Sequence, residues 1–232
     1  MIKIGGIHKF SLIDFPSRIS AVIFVQGCNL RCPYCHNRHL VLPEYFGYTI
    51  GIDEVFRFLE SRKKMIEGIV ISGGEPTIYE GIKDFIKKIK EFGYLVKLDT
   101  NGTNPEVLKE LIEEKLVDYV AMDIKASAGK YEYISGSSIS MDKIKKSIEI
   151  LLQSDIEYEF RTTLIKDLLT YNDIIKIGQM IKGAKRYALQ NFVSSENLIN
   201  KEIKNKTGFS REEREKLKKR LKNYVKEIIL KK

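Results

Sequence analysis

The stretch AVIFVQGCNLRCPYCHN, residues 21–37, decides how the chain is read. Its first five residues are apolar and rich in β-branched and aromatic types, as a strand buried on both faces is. The residues that follow hold turn formers and three cysteines, Cys28, Cys32 and Cys35, spaced C-x3-C-x2-C. A strand that runs into such a loop sets the loop at its C-terminal end, where parallel α/β folds gather their sites.

Working outward, five more short apolar runs repeat the pattern: GIVIS (68–72), YLVKLD (94–99), DYVAMDIK (118–125), EYEFRT (157–162) and RYALQ (186–190). Between them apolar residues recur at spacings of three and four, the period of an amphipathic helix. Ile82, Phe85, Ile86, Ile89 and Phe92 form one such stripe, with Gly93 as C-cap. Leu108, Leu111 and Ile112 form a second, after Asn104 and Pro105 as N-cap and first helical residue. Met141, Ile144, Ile148, Leu151 and Leu152 make a third, and Ile174, Ile177 and Ile181 a fourth. Val55, Phe56 and Leu59 mark a further helix around 53–60.

Six strands alternating with helices predict an α/β protein with a parallel sheet. Six units are too few for a closed eightfold barrel, so an open curved sheet and a doubly wound sheet both fit. Near the end, Ser210 and Glu213 have capping-box spacing. Leu217, Leu221, Tyr224, Val225 and Ile228 then predict one C-terminal helix. No low-complexity linker divides the chain. A single domain over 1–232 is expected, with 193–232 as a loop and helical extension.

Composition narrows the function classes. Hydrophobic residues are 43% of the 232 and charged residues 31%, so a sizeable core is available and a disordered chain is excluded. The formal net charge of +9 favours anionic partners in general. Lys-rich runs such as KKIKE and KLKKRLKNYVK read first as solvated helix backs. No apolar run approaches the roughly 20 residues that span a bilayer. The N-terminal MIKIGGIHKFSLIDFP lacks an apolar signal core and carries Asp14. A cytoplasmic protein without a membrane partner is expected. Three cysteines, an odd number, argue against a disulfide framework.

Three thiolates within eight residues can converge on one soft metal centre. Structural zinc usually takes four ligands, and a 4Fe–4S cube has four irons. Three cysteines leave one iron open, as a catalytic centre requires. Zinc held with His36 or His39, in a basic nucleic-acid-binding module, is the rival reading. Gly73 and Gly74 of ISGGEP (71–76) carry no Cβ, so backbone there can approach a ligand. Glu75 offers a charge to an ammonium group, or simply ends a tight turn in solvent.

Asp99 and Asp123 are carboxylates in apolar strands and need partners. Lys125 follows Asp123 by two residues and shares its face of the strand. An ordinary ion-pair network at the strand ends is the alternative. Arg161 suits a carboxylate, a substrate backbone or a neighbouring acid. Gln190 and Asn191 offer hydrogen bonds to a ribose or adenine. His8 and His39 read as surface or structural residues.

These residues carry a resemblance. The cysteine spacing, with Tyr34 before the last cysteine and ISGGEP downstream, resembles the radical S-adenosylmethionine superfamily. FSLIDFP, VQGCNLRCPYCHN, ISGGEPT, LDTNG, AMDIK and RTTL, in this order between about residues 5 and 192, are similar to glycyl-radical enzyme activating enzymes. The similarity is greatest to the activating proteins of anaerobic ribonucleoside-triphosphate reductase.

The resemblance implies a partial (β/α)6 barrel of parallel strands. It implies a 4Fe–4S cluster on Cys28, Cys32 and Cys35, its open iron chelated by the amino and carboxylate groups of S-adenosylmethionine. One electron would break the sulfonium bond, giving methionine and a 5′-deoxyadenosyl radical that takes hydrogen from a glycine Cα of a partner enzyme. Gly73, Gly74 and Glu75 would meet the cofactor's amino group, and Lys125 its carboxylate. Asp99 and Asp123 would help hold a monovalent cation, and Tyr34 and His36 would lie near the adenine. Asn101, Arg161 and Gln190 are carried over as further cofactor contacts, although some activases have histidine near Gln190. The chain has no cysteine for a second cluster.

The partners implied are a glycyl-radical enzyme and an electron donor such as flavodoxin or ferredoxin; no nucleic-acid partner is expected. The alternative within the same chemistry is a radical enzyme acting on a small molecule or nucleoside, like 7-carboxy-7-deazaguanine synthase or a tRNA-modifying enzyme.

Overall fold

The six apolar runs are strands in a computed structural model that describes residues 1–231. In chain order the elements begin β1 (Ile4–Ser11), β2 (Ser20–Val25), α1 (Arg38–Val41), α2 (Ile52–Arg62), β3 (Gly68–Gly73) and α3 (Ile82–Glu91). There follow β4 (Leu95–Thr100), α4 (Pro105–Glu113), β5 (Tyr119–Asp123), α5 (Tyr131–Ser135) and α6 (Met141–Gln153). The chain continues with β6 (Glu157–Leu164), α7 (Tyr171–Met180), β7 (Arg186–Asn191), α8 (Arg211–Leu221) and β8 (Glu227–Lys231). The eight strands follow one another in the sheet in sequence order. β2 pairs parallel with β3, β3 with β4, β6 with β7 and β7 with β8, while β1 runs antiparallel to β2. The α/β class is as expected.

Two strands go beyond the expected six. β1, IGGIHKFS, is an edge strand with exposed His8, Lys9 and Phe10, so it carries no apolar run to betray it. β8 replaces the second half of the expected C-terminal helix. α8 ends at Leu221, and Ile228 lies on a strand. Leu217, Leu221, Val225 and Ile228 are all buried, so the apolar spacing was real. The open edge of β7 supplied backbone partners that a longer helix would have left unpaired, and these set the element type. Lys231 completes β8, its Nζ lying 2.8 and 3.0 Å from the two oxygens of buried Glu159.

The residues fall into two compact units. The first holds Met1–Asn29, Asn37–Thr100 and Glu106–Val120. Its core includes the apolar face of α3, where Ile82, Phe85, Ile86 and Ile89 are buried. Phe15 fills the space beside Gly68 and tilts against Tyr119 at 6.1 Å.

The second unit holds Leu30–His36, Asn101–Pro105 and the chain from Ala121 onward. Tyr158 and Phe160 meet edge to face at 5.4 Å, and the Tyr187 hydroxyl donates to Thr162 Oγ1 at 2.8 Å. α7 starts in a full capping box of Thr170 and Asp173. Asp173 also takes Lys130 Nζ at 2.8 Å and Ser127 Oγ at 3.1 Å, which ties the segment before α5 to α7.

Candidate functional site

In the first unit the root of the cysteine loop is fixed by backbone. Gly27 N donates to Leu40 O at 2.7 Å, and the Tyr79 hydroxyl donates to Gln26 O at 2.6 Å. The loop after β3 crosses this root: Gly74 N donates to Val25 O and Glu75 N to Gly27 O, each at 2.8 Å. A Cβ on Gly74 would sit 1.8 Å from Gly27 O, and one on Gly73, at φ +110°, 2.5 Å from Val25 O. The glycines therefore admit the backbone that carries Cys28. What they approach within the chain is another loop, which sequence alone did not reveal.

Glu75 is 1% exposed, so it is not a solvated turn residue. Its Oε1 accepts from Thr77 N at 3.1 Å, Thr77 Oγ1 at 2.6 Å and Thr100 Oγ1 at 2.7 Å. Asp99 accepts from Ser72 Oγ at 3.0 Å and is ion-paired with buried Lys97. Lys97 was missed from the sequence. The signal was present: it stands two residues from Asp99 and so shares its face, as Lys125 does with Asp123.

The second unit holds the rest of the cysteine loop. Cys35 N donates to Cys32 O at 3.0 Å, closing a turn between the two cysteines. Arg31 N donates to Ser135 O at 2.9 Å, joining the loop to the end of α5. On the other side, Ile199 N donates to Cys35 O at 3.1 Å and Asn200 N to Pro33 O at 2.9 Å. His36 Nε2 lies 2.6 Å from Val193 O, and its ring stacks on Phe192 at 5.7 Å. The segment after β7 thus straps the cysteine loop. His8 and His39 are exposed, as expected.

Asp123, Lys125 and Arg161 come together. Lys125 Nζ lies 3.0 Å from Asp123 Oδ2, and Arg161 Nε 2.6 Å from Oδ1. Burial alone would raise the Asp123 pKa, but Arg161 and then Lys125 outweigh it and hold the carboxyl far below its usual range. Burial alone would lower Lys125, but the Asp123 carboxylate more than offsets that, so it stays charged. The ion-pair network weighed as an alternative is present. It leaves Asp123 compensated by two cations of its own chain.

Asn101 is buried and shapes its own turn, Oδ1 accepting from Thr103 N at 3.0 Å and Thr103 Oγ1 at 2.7 Å. Gln190, half-buried, pairs in register with Thr163 and Lys231. Asn191 Oδ1 is buried without a hydrogen-bond partner among the described residues.

The groups present fit an iron–sulfur cluster and a zwitterionic cofactor. None of the cysteines is in a disulfide. Among the described residues no three His, Cys, Asp or Glu side chains are gathered as a ready metal cage, so the fit of the thiols rests on their softness and spacing. Further support comes from polar atoms that the protein alone leaves unsatisfied. The hydroxyls of Tyr34 and Tyr131 are buried without hydrogen-bond partners among the described residues, and Tyr131 was not among the expected site residues. No helix among the described residues is long and apolar enough to cross a membrane.

Comparison with known proteins bears on the same residues. The family model "Radical SAM superfamily" matches residues 22–180. A Methanocaldococcus jannaschii protein named "Putative glycyl-radical enzyme activating enzyme" is 40% identical over 195 residues, covering 82% of this chain and 79% of its own. The pyruvate formate-lyase-activating enzyme of Clostridium pasteurianum is 27% identical over 250 aligned positions, covering 99% of both chains. Among solved structures, Streptococcus suis SuiB bound to S-adenosylmethionine superposes with a TM-score of 0.68 at 16% identity. That match covers 89% of this chain but 48% of SuiB, so the chain spans about half the length of that structure, and the likeness is one of fold.

Proposed function

We propose, on the premise that this chain belongs to the radical S-adenosylmethionine superfamily and to its glycyl-radical enzyme activating group, that it installs a glycyl radical on a partner such as an anaerobic ribonucleotide reductase. The observation that carries the protein-substrate reading is the match with activating enzymes along 82% and 99% of the chain. When bound, a 4Fe–4S cluster and S-adenosylmethionine supply one-electron reduction and a 5′-deoxyadenosyl radical able to take a hydrogen atom.

The chain's own part is binding and orientation. Cys28, Cys32 and Cys35 would hold the cluster. Gly73, Gly74, Glu75 and Asn101 would shape the cofactor's seat, and Lys125, fixed by Asp123, would present a positive charge to its carboxylate. Arg161 anchors the same Asp123 and so keeps Lys125 aimed. Tyr34, His36 and Gln190 would border the nucleoside. A monovalent cation near Asp99 and Asp123 would compete with lysines already in place.

Residues 193–231 belong in this reading to the catalytic core, because the segment after β7 holds the cysteine loop. An electron donor such as flavodoxin or ferredoxin and a cytoplasmic setting belong to the same proposal.

The test is electron paramagnetic resonance after anaerobic incubation with reductant, S-adenosylmethionine and candidate glycyl-radical enzymes. A glycine-centred doublet on the partner is expected. Turnover with a deazaguanine precursor or an RNA, and no doublet with any partner, would replace this reading with the nucleoside one.

A further inference from the structure

Two buried phenols in the second unit carry hydroxyls that no described residue satisfies. Tyr34 is 5% exposed and Tyr131 1%, and neither hydroxyl has a hydrogen-bond partner among the described residues. Leaving a buried hydroxyl unsatisfied is destabilising, and phenylalanine would fill either space without that cost. A hydroxyl kept under such conditions points to an acceptor that arrives with a ligand.

The surroundings say what kind of acceptor. Tyr131 opens α5, and α5 is pinned to the cysteine loop at its far end. Ser135 O accepts from Arg31 N at 2.9 Å. Gly136, at φ +65°, comes so close that a Cβ there would stand 2.2 Å from Arg31 O. On its near side, Lys130 is held to Asp173 at 2.8 Å. The Tyr131 ring is therefore held from both ends beside the loop that carries Cys32.

Tyr34 lies on that loop, two residues from Cys32. Its hydroxyl lies within reach of the Cys32 thiol. Lys125, whose backbone N–H faces the Tyr131 oxygen and whose Nζ pairs with Asp123, is a donor at both atoms and offers no lone pair to either hydroxyl. A phenol carries its proton at neutral pH, so each hydroxyl can donate to an anion.

We propose that Tyr34 and Tyr131 donate hydrogen bonds to the anionic sulfur of the loaded cluster on its Cys32 side, and so set the potential at which the site accepts its electron. The inference rests on the cluster proposed above and adds positioning residues to it. Outer-shell donors to ligating sulfur stabilise the more negative, reduced state and raise its potential.

The experiment uses the anaerobically reconstituted full chain, with Tyr131→Phe and Tyr34→Phe as separate variants. Each midpoint potential is measured by redox titration without S-adenosylmethionine, beside iron content and the apo-protein melting temperature. In each variant we expect at least a tenfold less favourable reduction, which is about 59 mV more negative for one electron. Iron content should match the parent, and apo-protein melting should be no lower, because an unsatisfied hydroxyl has been removed. A purely structural role would lower melting and leave the potential alone. Unchanged potentials with full iron loading would overturn the inference. So would an effect confined to S-adenosylmethionine binding, which would put the acceptor on the cofactor. If the parent itself loads no cluster, the functional reading fails rather than this one. Because the tyrosines lie on different elements, failure of one variant to fold leaves the other to decide.

Discussion

Arg161 Nε lies 2.6 Å from Asp123 Oδ1, while Lys125 Nζ takes the other oxygen of the same carboxylate at 3.0 Å. One anion answers two cations, and all three side chains are largely shielded from water. Asp123→Asn leaves two like charges facing each other. We expect a loss of about 2–4 kcal/mol in denaturant unfolding near neutral pH. Arg161→Lys keeps the charge but loses the planar fork, and should cost less, about 1 kcal/mol.

The same pair predicts a pH dependence. Burial works to raise the Asp123 pKa, and Arg161 and Lys125 prevail, so the folded carboxyl sits below its ordinary 3.8. A depressed folded pKa contributes stability that is complete above the unfolded value and is lost as pH falls through the folded one. The stability gap between the parent and Asp123→Asn should be flat from about pH 5 to 7 and shrink below about pH 4. A gap that widens on acidification would contradict this assignment.

Gly74 and Gly81 make a controlled pair. A Cβ at Gly74 would lie 1.8 Å from Gly27 O, backbone that cannot step aside, whereas nothing stands within 4 Å of one at Gly81. Gly74→Ala should destabilise the chain by about 3 kcal/mol or more and impair cluster loading, because it displaces the root of the cysteine loop. Gly81→Ala should stay within about 0.5 kcal/mol of the parent. Thermal melts and iron content after reconstitution read both.

Lys97 is the silent partner of Asp99, and both are shielded from water. Lys97→Met removes the cation from a shielded carboxylate and should cost about 3 kcal/mol. Adding Asp99→Asn should recover most of that loss, which a double-mutant cycle of unfolding free energies measures.

The sequence exposed those parts of the fold that obey local rules. The six central strands were legible because burial on both faces demands continuous apolar runs such as AVIFV and GIVIS. β1 was not, because an edge strand with Gly5, Gly6, His8 and Lys9 has no such demand. β8 was misread as helix, because Val225 and Ile228 fit a helical spacing after Leu221 and only the edge of β7 decided otherwise. In the site, the Asp123–Lys125 pair was readable from strand alternation, and so was Lys97 beside Asp99. The service of Gly74 to Gly27 and the stranded hydroxyl of Tyr131 depend on approaches between distant segments, which no local pattern encodes.

The central claim is that Cys28, Cys32 and Cys35 carry a cluster that cleaves S-adenosylmethionine. The most direct measurement is 5′-deoxyadenosine released on reduction of anaerobically reconstituted protein, in the parent and in Cys28→Ala, Cys32→Ala and Cys35→Ala. The account predicts product from the parent, loaded with about four irons as a cube requires, and none from any of the three variants. Product formation at the parental rate in even one cysteine variant, or zinc in place of iron and sulfide in the parent, would contradict it.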